Sequence, residues 1–115
     1  MVDEVPGRVS YLEIGSADVA ATRKFFGAVF DWPCHDDAWL QTPDLKAGTH
    51  GDDPAPQIYV YFNVEDLWAA IARVRAAGGE ASDPTVEPGF GSFSHCRAPG
   101  GTSFGLHTKL EQSVD

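Results

Sequence analysis

The chain has 115 residues, of which 43% are hydrophobic and 22% are charged, and its formal net charge is -9. This size and composition predict a single domain spanning 1–115 with its own core, and they exclude an intrinsically disordered chain. The negative charge argues against a nucleic-acid partner, and no apolar run approaches the ~20 residues that cross a bilayer.

The cysteines and the first residues bear on the compartment. The chain has only two cysteines, Cys34 and Cys96, and they lack the spacing of a metal site. The opening stretch, MVDEVPGR, is acidic and has no apolar core, unlike a signal peptide. We therefore expect a cytoplasmic protein with reduced thiols and without a membrane partner.

Residues 8–15 alternate as a β-strand does, and a helix follows them. Asp18 has the chemistry to cap that helix, because its carboxylate can accept hydrogen bonds from the first turn. The predicted buried side of the helix consists of Val19, Thr22, Phe25 or Phe26, Val29 and Phe30.

The stretch 31–57 is interrupted by four prolines. It predicts three brief strands at 33–35, 38–42 and 46–50, joined by tight turns. The segment GDDPAP at 51–56 has the composition of a linker that proline stiffens.

A second strand and helix begin at Tyr59. Asp66 is the predicted cap, and Gly78 and Gly79 end the helix because glycine readily adopts the left-handed conformation. The predicted stripe of this helix is Leu67, Ala70, Ile71, Val74 and Ala77. Strands at 80–82, 92–97 and 102–108 follow, with a loop at 83–91, a turn at 98–101 and a polar tail at 109–115.

The two strand–helix segments match at a shift of 48 positions. The matched pairs are Tyr11 with Tyr59, Leu12 with Val60, Ile14 with Phe62, Asp18 with Asp66 and Val19 with Leu67. The match predicts two βαβββ modules, one at about 8–50 and one at about 57–108. The alternative is that two unrelated strand–helix units align by chance.

In the order of these motifs the chain resembles the vicinal oxygen chelate superfamily, also known as the glyoxalase, bleomycin-resistance and dioxygenase superfamily. The shared features include the helix end at 25–32, the sequence NVEDL at 63–67 and the ending APGGTSFGL at 98–106. The resemblance implies an α+β fold in which two tandem βαβββ modules form a cupped mixed sheet, with the helices on its convex side and a small-molecule cavity within.

The resemblance also implies where a divalent metal would be held. The ligand positions fall on Tyr11, Tyr59 and Gly105, and the fourth lies near Thr49 or His50. Neutral tyrosine is a poor metal ligand and glycine has no side chain. We therefore expect no metal and no other cofactor, while a divalent metal on the relocated ligands Glu13, His50 and His107 is the alternative.

We predict the ligand site on the face of the strands that points away from the helices. Alternation and the resemblance place on it Tyr11, Glu13, Tyr59, Tyr61, Asn63, Ser103, Gly105 and His107. Glu13 is the candidate general base or cation anchor, unless it is a solvated residue at an open rim. The tyrosines alternatively fill the space as core. His35 and His95 show no partner in the sequence.

These features predict a protein that binds a small organic molecule, cationic or aromatic, in a cavity without the usual metal site. Sequestration, as in the drug-resistance members, is one form of this function. The alternatives are a metal-dependent lyase, isomerase or dioxygenase with relocated ligands, and an accessory subunit whose cavity is filled by its own side chains. The sequence leaves open whether the protein is an enzyme, and the resemblance predicts a homodimer.

Overall fold

The computed structural model describes residues 5–109, which form nine β-strands and two α-helices. The strands are β1 (Val9–Gly15), β2 (Cys34–His35), β3 (Trp39–Gln41), β4 (Lys46–His50), β5 (Ile58–Asn63), β6 (Glu80–Ala81), β7 (Thr85–Glu87), β8 (Gly91–Arg97) and β9 (Ser103–Thr108). The helices are α1 (Val19–Phe30) and α2 (Leu67–Ala76). The predicted α+β class is confirmed. Residues 1–4 of the acidic opening stretch and the polar tail after Lys109 lie outside the described residues.

The two helices begin in the same way, 48 positions apart. Asp18 has extended backbone and its carboxylate accepts a hydrogen bond from the Ala21 N–H at 3.1 Å. Asp66 does the same with the Ala69 N–H, also at 3.1 Å. Each carboxylate thus satisfies an amide that the first helical turn leaves unpaired, as predicted. No helix within residues 5–109 is long and apolar enough to cross a membrane.

The chain divides into two compact units, which we name by the module that each contains. The first-module unit comprises residues 11–60, and the second-module unit comprises residues 5–10 with 61–109. In the first-module unit the strand order is β2-β3-β4-β1, where β1 and β4 are parallel and the other neighbours are antiparallel. Its core consists of Ile14, Leu40 and Ala47, against which Leu12, Phe26 and Trp32 pack.

Helix α1 buries less of its apolar side than the sequence predicted. Phe25, Val29 and Phe30 are 60%, 51% and 53% exposed, and no residue of the helix is fully buried. Phe26 is the ring that packs on the core. Phe30 instead stacks on Trp32 with 4.8 Å between ring centroids, because the chain after the helix folds back along its last turn. The prediction that Val29 and Phe30 are buried was therefore wrong.

The second-module unit has the strand order β5-β9-β8-β6, to which β5 contributes residues 61–63, and β7 is paired to β8. β5 and β9 are parallel, whereas β8 is antiparallel to β9, β6 and β7. Helix α2 buries Leu67, Ala70 and Ile71 against Cys96 and Leu106. Val74 is half-buried and Ala77 is exposed, so the predicted apolar stripe of α2 is fully buried only in the first turns of the helix. β7 lies inside the predicted loop at 83–91, because two prolines flank its three residues and obscure the strand pattern.

Candidate functional site

Alternation along β1 separates two sets of side chains. Leu12 and Ile14 belong to the core cluster, whereas Tyr11 and Glu13 lie on the opposite face of the strand, over Gly48 of β4. Strand register explains this arrangement, since Glu13 is paired with Gly48 in the parallel β1–β4 ladder. The sequence prediction that Tyr11 and Glu13 share the face away from the core cluster agrees with this geometry.

Four polar side chains form a hydrogen-bonded chain on this face, which we call the Glu13 network. The Tyr11 hydroxyl donates to Glu13 Oε1 at 3.2 Å. His50 Nδ1 lies 2.6 Å from Glu13 Oε2, and His50 Nε2 lies 3.0 Å from Asp53 Oδ2. One imidazole therefore bridges two carboxylates, and both of its ring nitrogens are engaged.

Two glycines provide the room that the Glu13 network occupies. A Cβ on Gly48 would overlap the Tyr11 hydroxyl and come within 2.6 Å of Glu13 Oε1. A Cβ on Gly15 would overlap the Asp53 carboxylate and come within 2.8 Å of His50 Nε2. These distances are far below van der Waals contact, so side chains at either position would displace the network.

The Glu13 network is accessible to solvent. The side chains of His50, Glu13 and Asp53 are 46%, 25% and 16% exposed. The hydrogen bond to Glu13 is the largest cause of a raised pKa at His50; burial opposes it as the second-largest effect, and the bond to Asp53 adds a smaller upward contribution. The backbone N–H of Ala55 and the bond to His50 lower the pKa of Asp53. Both shifts favour a charged imidazolium between two carboxylates.

We expect an NMR titration to give His50 a pKa above the ordinary value of 6.5, with Glu13→Gln lowering it more than Asp53→Asn does. Because the folded-state pKa is raised, the stabilisation from charged His50 is full below pH 6.5 and is lost as the pH rises through the folded value. A His50 pKa unchanged by Glu13→Gln would contradict the network.

The equivalent face of the second-module unit holds an aromatic cluster instead. The ring of Tyr61 lies over Gly105, where a Cβ would come within 2.5 Å of Tyr61 Cε2. The Tyr61 hydroxyl lies 3.1 Å from His95 Nε2. Phe90 and Phe93 meet the Tyr61 ring edge-on, with centroids 6.0 and 6.1 Å away. Tyr61 is only 6% exposed and is therefore buried.

His107 is buried in the same unit and both of its ring nitrogens are engaged. Nε2 lies 2.6 Å from the Phe90 carbonyl oxygen, which can only accept, so Nε2 carries the proton and donates it. Nδ1 lies 3.3 Å from Ser10 Oγ. The Phe90 ring also stacks on the imidazole with 4.0 Å between centroids. Phe90 therefore covers His107 through both its ring and its backbone.

The predicted site residues thus differ in accessibility. Tyr11, Glu13 and Tyr59 are half-buried, Ser103 is exposed at the start of β9, and Asn63 is buried like its neighbours Tyr61, Gly105 and His107. The first-module unit brings Tyr11 and Glu13 together with His50. The second-module unit brings Tyr61 onto Gly105 and covers His107. A role in ligand binding for these residues stays a prediction.

Three of the four metal-ligand positions that the resemblance implies do not fit an ion in this structure. Tyr11 donates its hydroxyl proton to Glu13, and Gly105 offers no donor beneath the Tyr61 ring. Strand register makes Gly48 the equivalent of Gly105, since Glu13 and Tyr61 are 48 positions apart and pair with these glycines. The fourth position is therefore another glycine, Gly48, which lies one residue before Thr49 and two before His50, the residues predicted for it.

The relocated ligands Glu13, His50 and His107 stay an untested alternative. Within residues 5–109, no group of three or more His, Cys, Asp or Glu side chains is arranged to hold a metal ion. An ion at the Glu13 network would have to displace a hydrogen bond of His50, because both imidazole nitrogens face carboxylate oxygens.

Sequence reasoning missed Asp53 of the Glu13 network, and it missed His95, Phe90 and Phe93 around Tyr61. Asp53 falls in the segment interpreted as a linker, and only its spacing of three residues from His50 hinted at a contact. His95 showed no partner in the sequence, yet it reaches Tyr61 because both residues pair with Gly105, one from each neighbouring strand. That contact depends on strand register, which the sequence pattern alone does not fix.

Comparison with known proteins supports the fold and leaves the activity open. No protein-family model matches the chain, and no curated protein gives a significant match. A hypothetical protein from Bacillus halodurans superposes with a TM-score of 0.72 at 11% identity, over 93% of this chain and 97% of that one. Methylmalonyl-CoA epimerase from Mycobacterium tuberculosis gives 0.67 at 15% identity, over 88% and 87%.

A third similar structure is a variant of homoprotocatechuate 2,3-dioxygenase from B. fuscum in complex with HPCA. It gives a TM-score of 0.64 at 18% identity, over 96% of this chain and 35% of that one. The epimerase and the dioxygenase both belong to the vicinal oxygen chelate superfamily. The predicted resemblance is therefore confirmed for the fold: the chain has the vicinal oxygen chelate fold.

Proposed function

We propose that this protein binds a small organic molecule that carries a positive charge and an aromatic ring, with Glu13 as the anchor. The observation that carries this proposal is the Glu13 network, a preformed anionic group on an accessible strand face. Glu13 and Asp53 contribute two negative charges, and His50 contributes at most one positive charge. The network is therefore negative whether His50 is protonated or neutral, and it attracts cations.

Aromatic surface next to this charge supports the second part of the proposal. Tyr11 is half-buried, and its hydroxyl is held by Glu13. Tyrosine faces attract organic cations, so a ring-bearing ammonium gains from both groups. Solved structures with this fold are named for small organic substrates, including methylmalonyl-CoA and homoprotocatechuate, which is consistent with a small-molecule site.

The proposal requires neither a metal nor a reaction. The metal-dependent lyase, isomerase or dioxygenase with relocated ligands remains the second candidate, since one similar structure is an epimerase and another a dioxygenase. Elemental analysis of the purified protein separates the two: a stoichiometric divalent metal would favour the second candidate. A cytoplasmic homodimer also stays a prediction, and a light-scattering mass of one chain would contradict the dimer.

Calorimetric titration with benzyltrimethylammonium and with benzyl alcohol tests the binding proposal. The first is a permanent aromatic cation and the second is a neutral compound with the same ring. We expect the cation to bind roughly tenfold more tightly, because one ion pair in a partly exposed site is worth about 1.4 kcal/mol. Equal affinities, or no binding of the cation at millimolar concentration, would refute a cation anchor.

A further inference from the structure

A concave site lies along helix α1, in the first-module unit. Its volume is about 350 Å³, and it is lined by Ala20, Arg23, Lys24, Gly27, Trp32, Cys34 and Asp37. We call it the α1 groove. Small-molecule sites in proteins start at roughly 300 Å³, so the space suffices for a compact ligand. None of its lining residues belongs to the Glu13 network.

One wall of the α1 groove is aromatic and fixed. Trp32 packs on the core cluster and stacks on Phe26, with 5.8 Å between ring centroids and planes 12° apart. It also stacks on Phe30 at 4.8 Å. Gly27 lines the groove without a side chain, so this position does not narrow it. The position of Trp32 is therefore set by its own packing.

Two cations stand beside this wall in an otherwise acidic protein. The chain has 8 Lys and Arg against 17 Asp and Glu, and Arg23 and Lys24 both line the α1 groove. Arg23 Nη1 donates to Thr49 Oγ1 at 3.0 Å, and Thr49 in turn donates to the Ala38 carbonyl at 2.6 Å. This anchoring orients the guanidinium and uses one of its five N–H donors.

We propose that the α1 groove binds a small aromatic carboxylate, with its ring against Trp32 and its carboxylate at Arg23 and Lys24. A guanidinium is suited to this group, because its paired N–H donors match both carboxylate oxygens. Asp37 lines the same groove and repels a second negative charge, so the preferred ligand is a monoanion. This ligand class is opposite in charge to the one that the Glu13 network attracts.

The test measures binding of 1-naphthoate and of the neutral 1-naphthalenemethanol by calorimetry. We expect the double variant Arg23→Gln, Lys24→Gln to weaken naphthoate binding about tenfold, since charge-assisted bonds are replaced by neutral ones. Glutamine retains helix propensity, so α1 persists in this variant. Asp37→Asn should tighten binding about threefold, because it removes a repulsive charge. Lys46→Gln, which removes one positive charge outside the groove in the same unit, is the control.

Cys34 supplies an independent readout, because its exposed thiol lines the α1 groove whereas Cys96 is buried. Bound naphthoate should slow the alkylation of Cys34 by iodoacetamide, and mass spectrometry measures the rate of this reaction. Naphthoate binding should also survive Glu13→Gln, which separates this site from the Glu13 network. Binding that is unchanged in the double variant, equal binding of the neutral compound, or an unprotected Cys34 would each overturn the proposal.

Discussion

Replacement of Gly105 by alanine is expected to lower the free energy of unfolding by about 2 kcal/mol, the usual size of an overpacking defect. The added Cβ would come within 2.5 Å of Tyr61 Cε2 and 2.9 Å of Tyr61 Cγ. The ring has nowhere to move within its own unit, because Phe90 and Phe93 meet it edge-on. Urea unfolding of both proteins measures the difference.

Two controls make this expectation specific to the ring contact. Gly27→Ala places a methyl group 3.5 Å from the nearest atom, in the interior of α1, and should stabilise the protein by up to about 1 kcal/mol. In a Tyr61→Ala background the Gly105→Ala change should cost much less, because the clashing ring is gone. An equal cost in both backgrounds would show that the glycine acts through something other than Tyr61.

Glu13→Gln is expected to weaken binding of benzyltrimethylammonium about tenfold, since it removes the anchoring charge and keeps the shape of the side chain. The same change removes the largest cause of the raised His50 pKa, so that pKa should fall towards its ordinary value. Calorimetry and NMR on this one variant thus measure two effects of the Glu13 carboxylate, one on the affinity for the cation and one on the pKa of His50. Glu65→Gln, an exposed acidic residue of the second-module unit, is the charge-matched control and should change neither.

The wild-type protein should also bind this cation more tightly as the pH rises through the His50 pKa. Deprotonation removes the positive charge that lies between Glu13 and Asp53, while the charge of the quaternary ammonium does not depend on pH. In Glu13→Gln the midpoint of the remaining pH dependence should move to lower pH along with His50. An affinity that does not change with pH would mean that the ligand does not bind next to the Glu13 network.

Much of the fold was predictable because its signals are local. Asp18 and Asp66 act as helix caps in the structure because a capping carboxylate needs only the amides of the next three residues. The brief strands at 33–35, 38–42 and 46–50 are observed at Cys34–His35, Trp39–Gln41 and Lys46–His50, since the turn residues between them were legible. The repeat of 48 positions also reappears in the helix starts, at Val19 and Leu67.

The parts that were missed depend on contacts distant in sequence. The apolar period of α1 could not show which of its residues face the core, because neighbouring aromatic residues fit the period equally well. In the structure Phe26 faces the core, whereas Val29 and Phe30 do not. The bond between Tyr61 and His95 follows from the register of three strands. Phe90 also determines which candidate site residues are covered by protein. Its position relative to His107 is set by the loop before β8.

The division of β1 between the two compact units bears on how the chain acquires its structure during synthesis. The first-module unit is continuous, so all of its residues have left the ribosome once residue 60 has emerged. Residues 5–10, although made earlier, pair with a partner in residues 61–109: the backbone of Gly7 and that of Arg8 bond Asn63. Residues 5–10 must therefore remain without their final partner until the second half of this sequence has been translated.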